Sequence, residues 1–139
     1  MKNPLICEYK SVVLTTDHPD ATAAFYRDVL MLPIEAERHR GTHRHWAGPV
    51  GSLHFAIHPR EGFWLPSEPG SGDASTVVSF TTDNLDGLVE KFAASSVEVV
   101  ARTQIGPMSF VAVRDPDRRL VCFGTPWPER RSACAYRSS

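Results

Sequence analysis

A repeated opening constrains this chain more than any other feature of its sequence. Residues 12–20 read VVLTTDHPD and residues 78–86 read VSFTTDNLD, so that Asp17 recurs 66 positions later as Asp83. In both places a β-branched run ends in Thr-Thr-Asp and an amphipathic helical pattern follows. Strand-to-helix junctions share capping residues, so a short match alone can also arise by chance. Because the patterns after the match agree as well, the sequence predicts one supersecondary unit used twice.

The first half predicts a strand, a helix and three further strands. Its strands are expected at residues 8–16, 34–40, 43–47 and 52–58. His18 or Asp17 can cap the helix, and Pro33 is expected to end it. The apolar stripe of this helix consists of Ala21, Phe25, Val29 and Leu32. Turns are predicted at residues 41–42 and 48–51, where glycine and proline gather.

The second half repeats this order. Strands are expected at residues 75–82, 97–103, 108–114 and 119–124, and the Asp-Pro-Asp of residues 115–117 predicts a turn. The helical stripe is formed by Leu85, Leu88, Val89, Phe92 and Ala93. We therefore expect one domain over residues 1–126, with modules at about 8–60 and 75–126. A linker at 61–74 joins them, and a polar tail follows at 127–139.

Alternation along the strands predicts which side chains share a face. Leu53, Phe55 and Ile57 alternate with His54, Ala56 and His58, and the apolar set should lie under the helix. In the last strand, Val121 and Phe123 alternate in the same way with Leu120, Cys122 and Gly124. The second set of each strand should face a cleft enclosed by the two sheets, a common place for a ligand.

Composition excludes several kinds of partner. With 42% hydrophobic and 22% charged residues the chain is typical of soluble globular proteins, and its net charge of −1 argues against nucleic acid or an anionic membrane. No apolar stretch approaches the ~20 residues that cross a bilayer, and the first ten residues lack a signal-peptide pattern. The cysteines Cys7, Cys122 and Cys134 have no metal-type spacing, and their odd number fits a reducing cytoplasm.

Three features together resemble a known superfamily. The stretch AAFYRDVLMLP, the repeated opening and the DPDRRLVCF ending are similar to the vicinal oxygen chelate superfamily, which includes glyoxalase I, bleomycin-resistance proteins and extradiol dioxygenases. The likeness covers about residues 8–126. It implies an α+β fold of two tandem βαβββ modules, forming curved mixed sheets around a cleft with one helix on the outer face of each. It also implies a dimer in many cases, and usually a divalent metal. The superfamily hosts several reactions and some pure binders, so chemistry does not follow from the fold.

The metal positions of the superfamily lie on the first and fourth strands of each module, usually as His, Glu or Gln. Here they match Ser11, His54, Val77 and Cys122. Valine cannot bind a metal and serine is a poor neutral ligand, so only His54 and Cys122 are chemically capable. We therefore predict no metal at these positions and no other cofactor. A relocated site on the histidine-bearing strands, at residues 39–58, stays open as an alternative.

The residues predicted to line the cleft are His45, His54, His58, Met108, Phe110, Arg114 and Cys122. A histidine there could bind a ligand or transfer protons, or could simply be a polar residue of a half-exposed sheet. Cys122 could be a nucleophile or a small buried hydrophobe. Phe110 and Arg114 would suit a flat or anionic ligand, unless Phe110 is core and Arg114 pairs with the aspartates of the turn. The cleft residues found in this way are neutral or basic, unlike those of a site for a cationic drug.

Three function classes remain. The chain could be a metal-free small-molecule binder, an enzyme of the superfamily with an altered or relocated metal site, or an accessory domain without a ligand. The non-ligand residues at the metal positions favour the binder. We further expect a homodimer, because an apolar segment such as Phe63-Trp64-Leu65 seldom stays solvated on a monomer. The expected location is the cytoplasm, as the odd number of cysteines indicates.

Overall fold

The chain divides into two compact units, Met1–Pro69 and Gly70–Ser139. The computed structural model describes residues 5, 10–38, 44–63 and 77–126. Each unit has the element order strand, helix, strand, strand, strand. This order confirms the predicted tandem βαβββ modules and their α+β class.

In the first unit, β1 spans Ser11–Thr16 and α1 spans Pro19–Ala24, continued by a π-helical turn at Phe25–Val29. The remaining strands are β2 Glu35–Glu37, β3 His45–Val50 and β4 Leu53–Pro59. They form a four-stranded sheet in the order β1-β4-β3-β2. The β1–β4 pair is parallel and the other pairs are antiparallel.

In the second unit, β5 spans Val78–Thr81 and α2 spans Leu85–Ala94. The following strands are β6 Val99–Ile105, β7 Met108–Arg114 and β8 Leu120–Gly124. The sheet order β5-β8-β7-β6 repeats that of the first unit, with one parallel pair between the first and last strands of the module.

The two strand-to-helix junctions repeat in atomic detail. The Thr16 hydroxyl accepts a hydrogen bond from the backbone N–H of His18, and the Thr82 hydroxyl accepts one from Asn84, each at 3.0 Å. The caps then diverge. The side chain of Asn84 accepts from the N–H of Gly87, whereas His18 occupies the N-cap position of α1 without a side-chain cap bond. The shared threonine explains the repeated Thr-Thr-Asp, because its hydroxyl satisfies a backbone donor as the strand ends.

The first helix ends before Pro33, so the prediction that this proline terminates it is wrong. Its last turn is a π turn, closed by the bond from the N–H of Leu30 to the carbonyl of Phe25 at 3.0 Å. Met31 then takes a left-handed conformation with φ 58°. Such a residue ends a helix at this position without any need of proline.

Strand β3 runs through three of the four residues predicted as a turn. Gly48 and Pro49 lie inside it, and only Gly51 and Ser52 form the turn. Gly48 is needed where the chain passes very close, since a Cβ there would lie 2.0 Å from the carbonyl oxygen of Pro33. Pro49 is tolerated because β2 pairs only with His45–Ala47 of this strand, leaving the proline position without a ladder bond on that side.

Aromatic rings form the core between each helix and its sheet. Tyr26 packs on Phe55 with ring centroids 5.2 Å apart, and Phe92 packs on Phe123 at 5.4 Å. All four side chains are buried, and Tyr26 and Phe92 are completely so. Over the described ranges, the helices are too short and too polar for any of them to cross a membrane.

Candidate functional site

Strand pairing decides which side chains share a face of the first sheet. Phe55 and Ile57 are buried on the side of α1, as their alternation predicted. His54 and His58 point the other way, because they alternate with Phe55 and Ile57 along β4. We call the face of each sheet that the helix of its own unit does not cover the helix-free face. The predicted parity of the histidines is therefore confirmed.

One row of side chains crosses all four strands on the helix-free face of the first sheet. Thr15 pairs with His58, Glu37 pairs with His45, and the Trp46–Ile57 pair places His45 beside His58. The row thus reads Thr15, His58, His45, Glu37. It brings together two predicted site residues, His45 and His58, with a hydroxyl at one end and a carboxylate at the other.

The two imidazoles of this row are in direct contact. Their ring centroids are 4.2 Å apart and their planes differ by 10°, so the rings are stacked. His45 is buried, and its Nε2–H donates to Oε1 of Glu37 at 2.8 Å. Such a carboxylate partner fixes the tautomer and orientation of an imidazole. The ring of Phe63 also lies near that of His58, with centroids 5.0 Å apart.

The carboxylates of this face are residues that the sequence reasoning missed. Glu37 belongs to the row, and Glu35 lies on the same face because it is two residues away along β2. Glu35 pairs with Ala47, and Ala47 pairs in turn with Ala56. These carboxylates add negative charge to a face whose predicted residues are neutral or basic. The alternation Glu35-Ala36-Glu37 carried a signal for a strand with an acidic face, but β2 has only three residues and no strong β pattern.

In the second unit, the predicted residues of β7 and β8 also lie on the helix-free face. The ring of Phe110 covers Gly124, because a Cβ at Gly124 would lie 2.7 Å from it. Cys122 pairs with Ala112 on one side and with Ser79 on the other. Met108, which shares the parity of Phe110, is buried. The register therefore gives these residues the predicted parity, opposite to the residues that pack under α2.

Arg114 reaches the Asp-Pro-Asp turn through a backbone contact. Its Nη1 donates to the backbone carbonyl of Arg118 at 2.9 Å. Arg119 pairs with the turn through Asp115 at 2.6 Å and Asp117 at 3.3 Å. Both aspartates are buried, and Asp115 also accepts the backbone N–H groups of Asp117 and Arg119. The Asp-Pro-Asp sequence thus builds a turn, as predicted.

The superfamily metal positions carry few side chains that bind metals. Ser11 and His54 are cross-strand partners, but Val77 precedes β5 and Cys122 pairs with Ser79. In each unit, parallel partners on the first and last strands are separated by the same number of residues. By this register, the residue of the second unit that corresponds to His54 is Leu120. Serine, one imidazole, valine and either leucine or a thiol do not fit a divalent ion. Among residues 10–38, 44–63 and 77–126, no group of three or more His, Cys, Asp or Glu can hold a metal.

A polar groove of about 610 Å³ lies elsewhere, on the helix side of the second sheet. Its walls come from the start of α2, from β6 and from the ends of β7 and β8, and its lining residues are Asp83, Asn84, Leu85, Asp86, Arg102, Thr103, Gln104, Ser109 and Thr125. None of the predicted site residues that the structure describes lines it. It is a surface feature of the second unit.

Several expectations stay predictions. The strands offered for a relocated metal site also carry His39 and His43, and the segment offered for a dimer contains Trp64 and Leu65. These four residues lie outside the described residues. The common cavity expected for His54, His58 and Phe110 stays a prediction, because the two histidines belong to the first unit and Phe110 to the second.

Comparison with known proteins supports the repeated fold. The family model of the Glyoxalase/Bleomycin resistance protein/Dioxygenase superfamily matches residues 9–123, nearly all of the repeated region. The chain belongs to this superfamily. No curated protein matches the chain.

Solved structures of superfamily type are similar over most of the chain. TnmS3, an antibiotic binding protein from Streptomyces sp. CB03234, has a TM-score of 0.71 at 16% identity, covering 90% of this chain and 100% of its own. Lactoylglutathione lyase from Agrobacterium tumefaciens has a TM-score of 0.62 at 21% identity, with 88% and 95% covered. The fosfomycin resistance protein FosX from Mesorhizobium loti has 0.66 at 11%, with 92% and 99% covered. At these identities the likeness shows the fold alone.

Proposed function

We propose that this protein is a small-molecule-binding member of the superfamily that does not use the superfamily's metal positions. The observation that carries the proposal is the donor set at those positions. Ser11 and His54 are the only pair there that are cross-strand partners, and they offer one imidazole and one neutral hydroxyl. A catalytic zinc normally has three protein ligands, and octahedral ions need several oxygens.

The helix-free faces support binding of an organic ligand. In the first unit they offer the row of Thr15, His58, His45 and Glu37, and in the second the ring of Phe110. Polar groups set among apolar and aromatic surface are typical of small-molecule sites. TnmS3, similar in fold, is an antibiotic binding protein, so the scaffold serves this purpose in at least one neighbour. A net charge of −1 gives no reason to expect nucleic acid as the ligand.

The carboxylates of Glu35 and Glu37 add molecules with a basic group to the classes of ligand that this face could bind. They place negative charge at the β2 edge of the face, where Glu35 is exposed and Glu37 is partly exposed. A ligand with a basic group would be attracted to this edge, whereas its aromatic part would suit the rings of Phe63 or Phe110. As part of the proposal we place the protein in the cytoplasm as a homodimer.

An enzyme with a relocated metal site is the second candidate. Glu37, His45 and His58 come from three adjacent strands and share one face, and these are residue types that bind transition metals. However, the stacked rings of His45 and His58 do not converge on one point, and Nε2 of His45 is engaged by Glu37. A metal would have to break both contacts, so this candidate ranks below the metal-free binder.

Native mass spectrometry of freshly purified protein tests the proposal. We expect the spectrum to show a dimer carrying a bound organic species, and mild collisional activation should release that species for identification. The Gly124→Ala variant, which displaces the Phe110 ring, should retain less of it than a Gly106→Asn variant. Gly106 has a φ of 58°, which asparagine tolerates, and a Cβ there meets nothing within 4 Å. A monomer would contradict the homodimer, and equal retention by both variants would contradict a site at Phe110.

A further inference from the structure

The second sheet ends in an edge strand that is open to solvent. Among the strands that the structure describes, β6 lies at the end of its sheet and pairs with β7 alone. Residues 100–105 are all exposed, although alternate residues of a strand point to opposite faces. The strand is therefore accessible on both faces and along one edge. We propose that the homodimer of the proposed function, on which this inference rests, is joined by antiparallel pairing of β6 with β6 of a second copy.

The equivalent edge of the first sheet is protected against such pairing. β2 occupies that edge, has only three residues and carries Glu35 and Glu37. Short edge strands and charged side chains are common devices that keep a sheet from pairing with another chain. β6 has seven residues, Val100 and Ile105 on it are 43% and 60% exposed, and Arg102 is its one charged residue. The repeat within the chain thus singles out β6 as the edge suited to a second copy.

Hydrogen bonding within the sheet determines which backbone groups of β6 point to its open edge. The carbonyl of Ser109 accepts the N–H of Thr125 at 3.1 Å, so the backbone of Ser109 faces away from β6. Its partner on β6 is Gln104, and the two form a pair without mutual hydrogen bonds. Such pairs alternate with hydrogen-bonded ones, so the N–H and carbonyl groups of Gln104 and Arg102 point outward. The register irregularity of β6 precedes Ala101 and leaves this part of the strand regular.

These outward groups allow a self-complementary register. With a twofold axis beside Thr103, Arg102 forms a hydrogen-bonded pair with Gln104 of the second copy, and this pair occurs twice. On the other face, Thr103 lies opposite its own copy, and Ala101 lies opposite Ile105. Threonine pairs and apolar pairs stabilise neighbouring strands, and no like charges are opposed. An axis at Arg102 would instead set two guanidinium groups opposite each other, which is unfavourable.

The joint extends the proposed binding face into the second copy. Thr103 pairs with Phe110, and Phe110 pairs with Gly124, all on the helix-free face of the second sheet. With Thr103 of both copies at the axis, these two rows become one continuous row across the dimer. The partner thereby adds residues beside the Phe110 ring of each protomer.

Sedimentation velocity of the purified protein over a range of concentrations tests the joint. We expect a monomer–dimer equilibrium, because one strand per protomer makes a small interface, below about 1,200 Å². Gln104→Pro removes an outward N–H from each copy and should weaken the dimer by at least about tenfold. Gln104→Ala keeps the N–H and should leave the dissociation constant unchanged. A dimer of wild-type strength in Gln104→Pro would overturn the joint and leave the homodimer to another surface, whereas a monomeric wild type would overturn both.

Charge at residue 104 tests the register. Because this residue lies opposite Arg102 of the second copy, Gln104→Glu should tighten the dimer and Gln104→Lys should weaken it, each by about threefold or more. Both effects should shrink at high salt. Tighter association cannot result from misfolding, so these variants test the joint even where Gln104→Pro fails to fold. A change in the same direction in both variants, or none in either, would overturn the register.

The acidic edge of the first sheet is the competing partner for β6. If β6 paired with β2 of another copy, Gln104→Lys would tighten the association and species larger than a dimer would form. Either result would overturn the twofold joint. No ligand is added in these measurements, so their failure leaves the binding of a small molecule untouched.

Discussion

Replacement of Asp115 by alanine is expected to lower the free energy of unfolding by about 3 to 5 kcal/mol. The side chain is fully buried and accepts three hydrogen bonds, from the N–H groups of Asp117 and Arg119 and from the Arg119 guanidinium. Its removal leaves two backbone donors unsatisfied and a largely buried guanidinium without its main partner. Chemical denaturation followed by far-UV circular dichroism measures the change.

The Asp28→Ala variant is the matched control, because it also removes an aspartate paired with an arginine. Asp28 contacts Arg27 through two oxygens at 2.8 and 2.9 Å, but both side chains are largely exposed. The hydrogen bond to Asp28 and its charge raise the pKa of Arg27, which stays positive in either variant. We expect no measurable loss of stability, since water replaces the exposed partner. Equal effects of the two substitutions would contradict a buried structural role for the turn.

The Gly48→Ala variant is expected to be nearly as damaging, with a loss of about 3 kcal/mol or more. The added methyl group would lie 2.0 Å from the carbonyl oxygen of Pro33 and 3.1 Å from the Cα of Ile34. These are backbone atoms, so the strand and the segment after the helix would have to separate. Gly124→Ala is the comparison, because its methyl group meets only the Phe110 side chain, which can rotate away. A Gly48→Ala protein as stable as Gly124→Ala would contradict this packing.

The sequence predicted the repeated fold because the information is local and occurs twice. Thr16 and Thr82 end equivalent strands with the same hydroxyl contact, and β7 has the bounds predicted for it. Parity along β4 placed His54 and His58 correctly, since one buried face fixes the register of a strand. These features depend on neighbouring residues and on alternation, both of which can be read from a sequence.

The features that the sequence did not predict depend on contacts between segments that are distant in the chain. Gly48 and Pro49 resemble a turn, but the close approach of Pro33 and the short β2 make them part of a strand. Glu37 meets His45 only through the β2–β3 pairing, and three residues of strand give little pattern to recognise. The acidic edge of this sheet face was therefore missed, while the histidines of the face were predicted to share it.

Thermal melting of chelator-treated protein with added Zn, Ni, Mn or Fe(II) tests the central claim most directly. An ion at about 100 times its dissociation constant would stabilise the folded state by roughly 2.7 kcal/mol, which should raise the melting temperature by roughly 8 °C in a protein of this size. We predict no such shift with any of the ions. A shift that disappears in His54→Ala would contradict the account by placing a metal at the superfamily position. A shift that survives His54→Ala and disappears in His45→Ala would contradict it in favour of a relocated metal site.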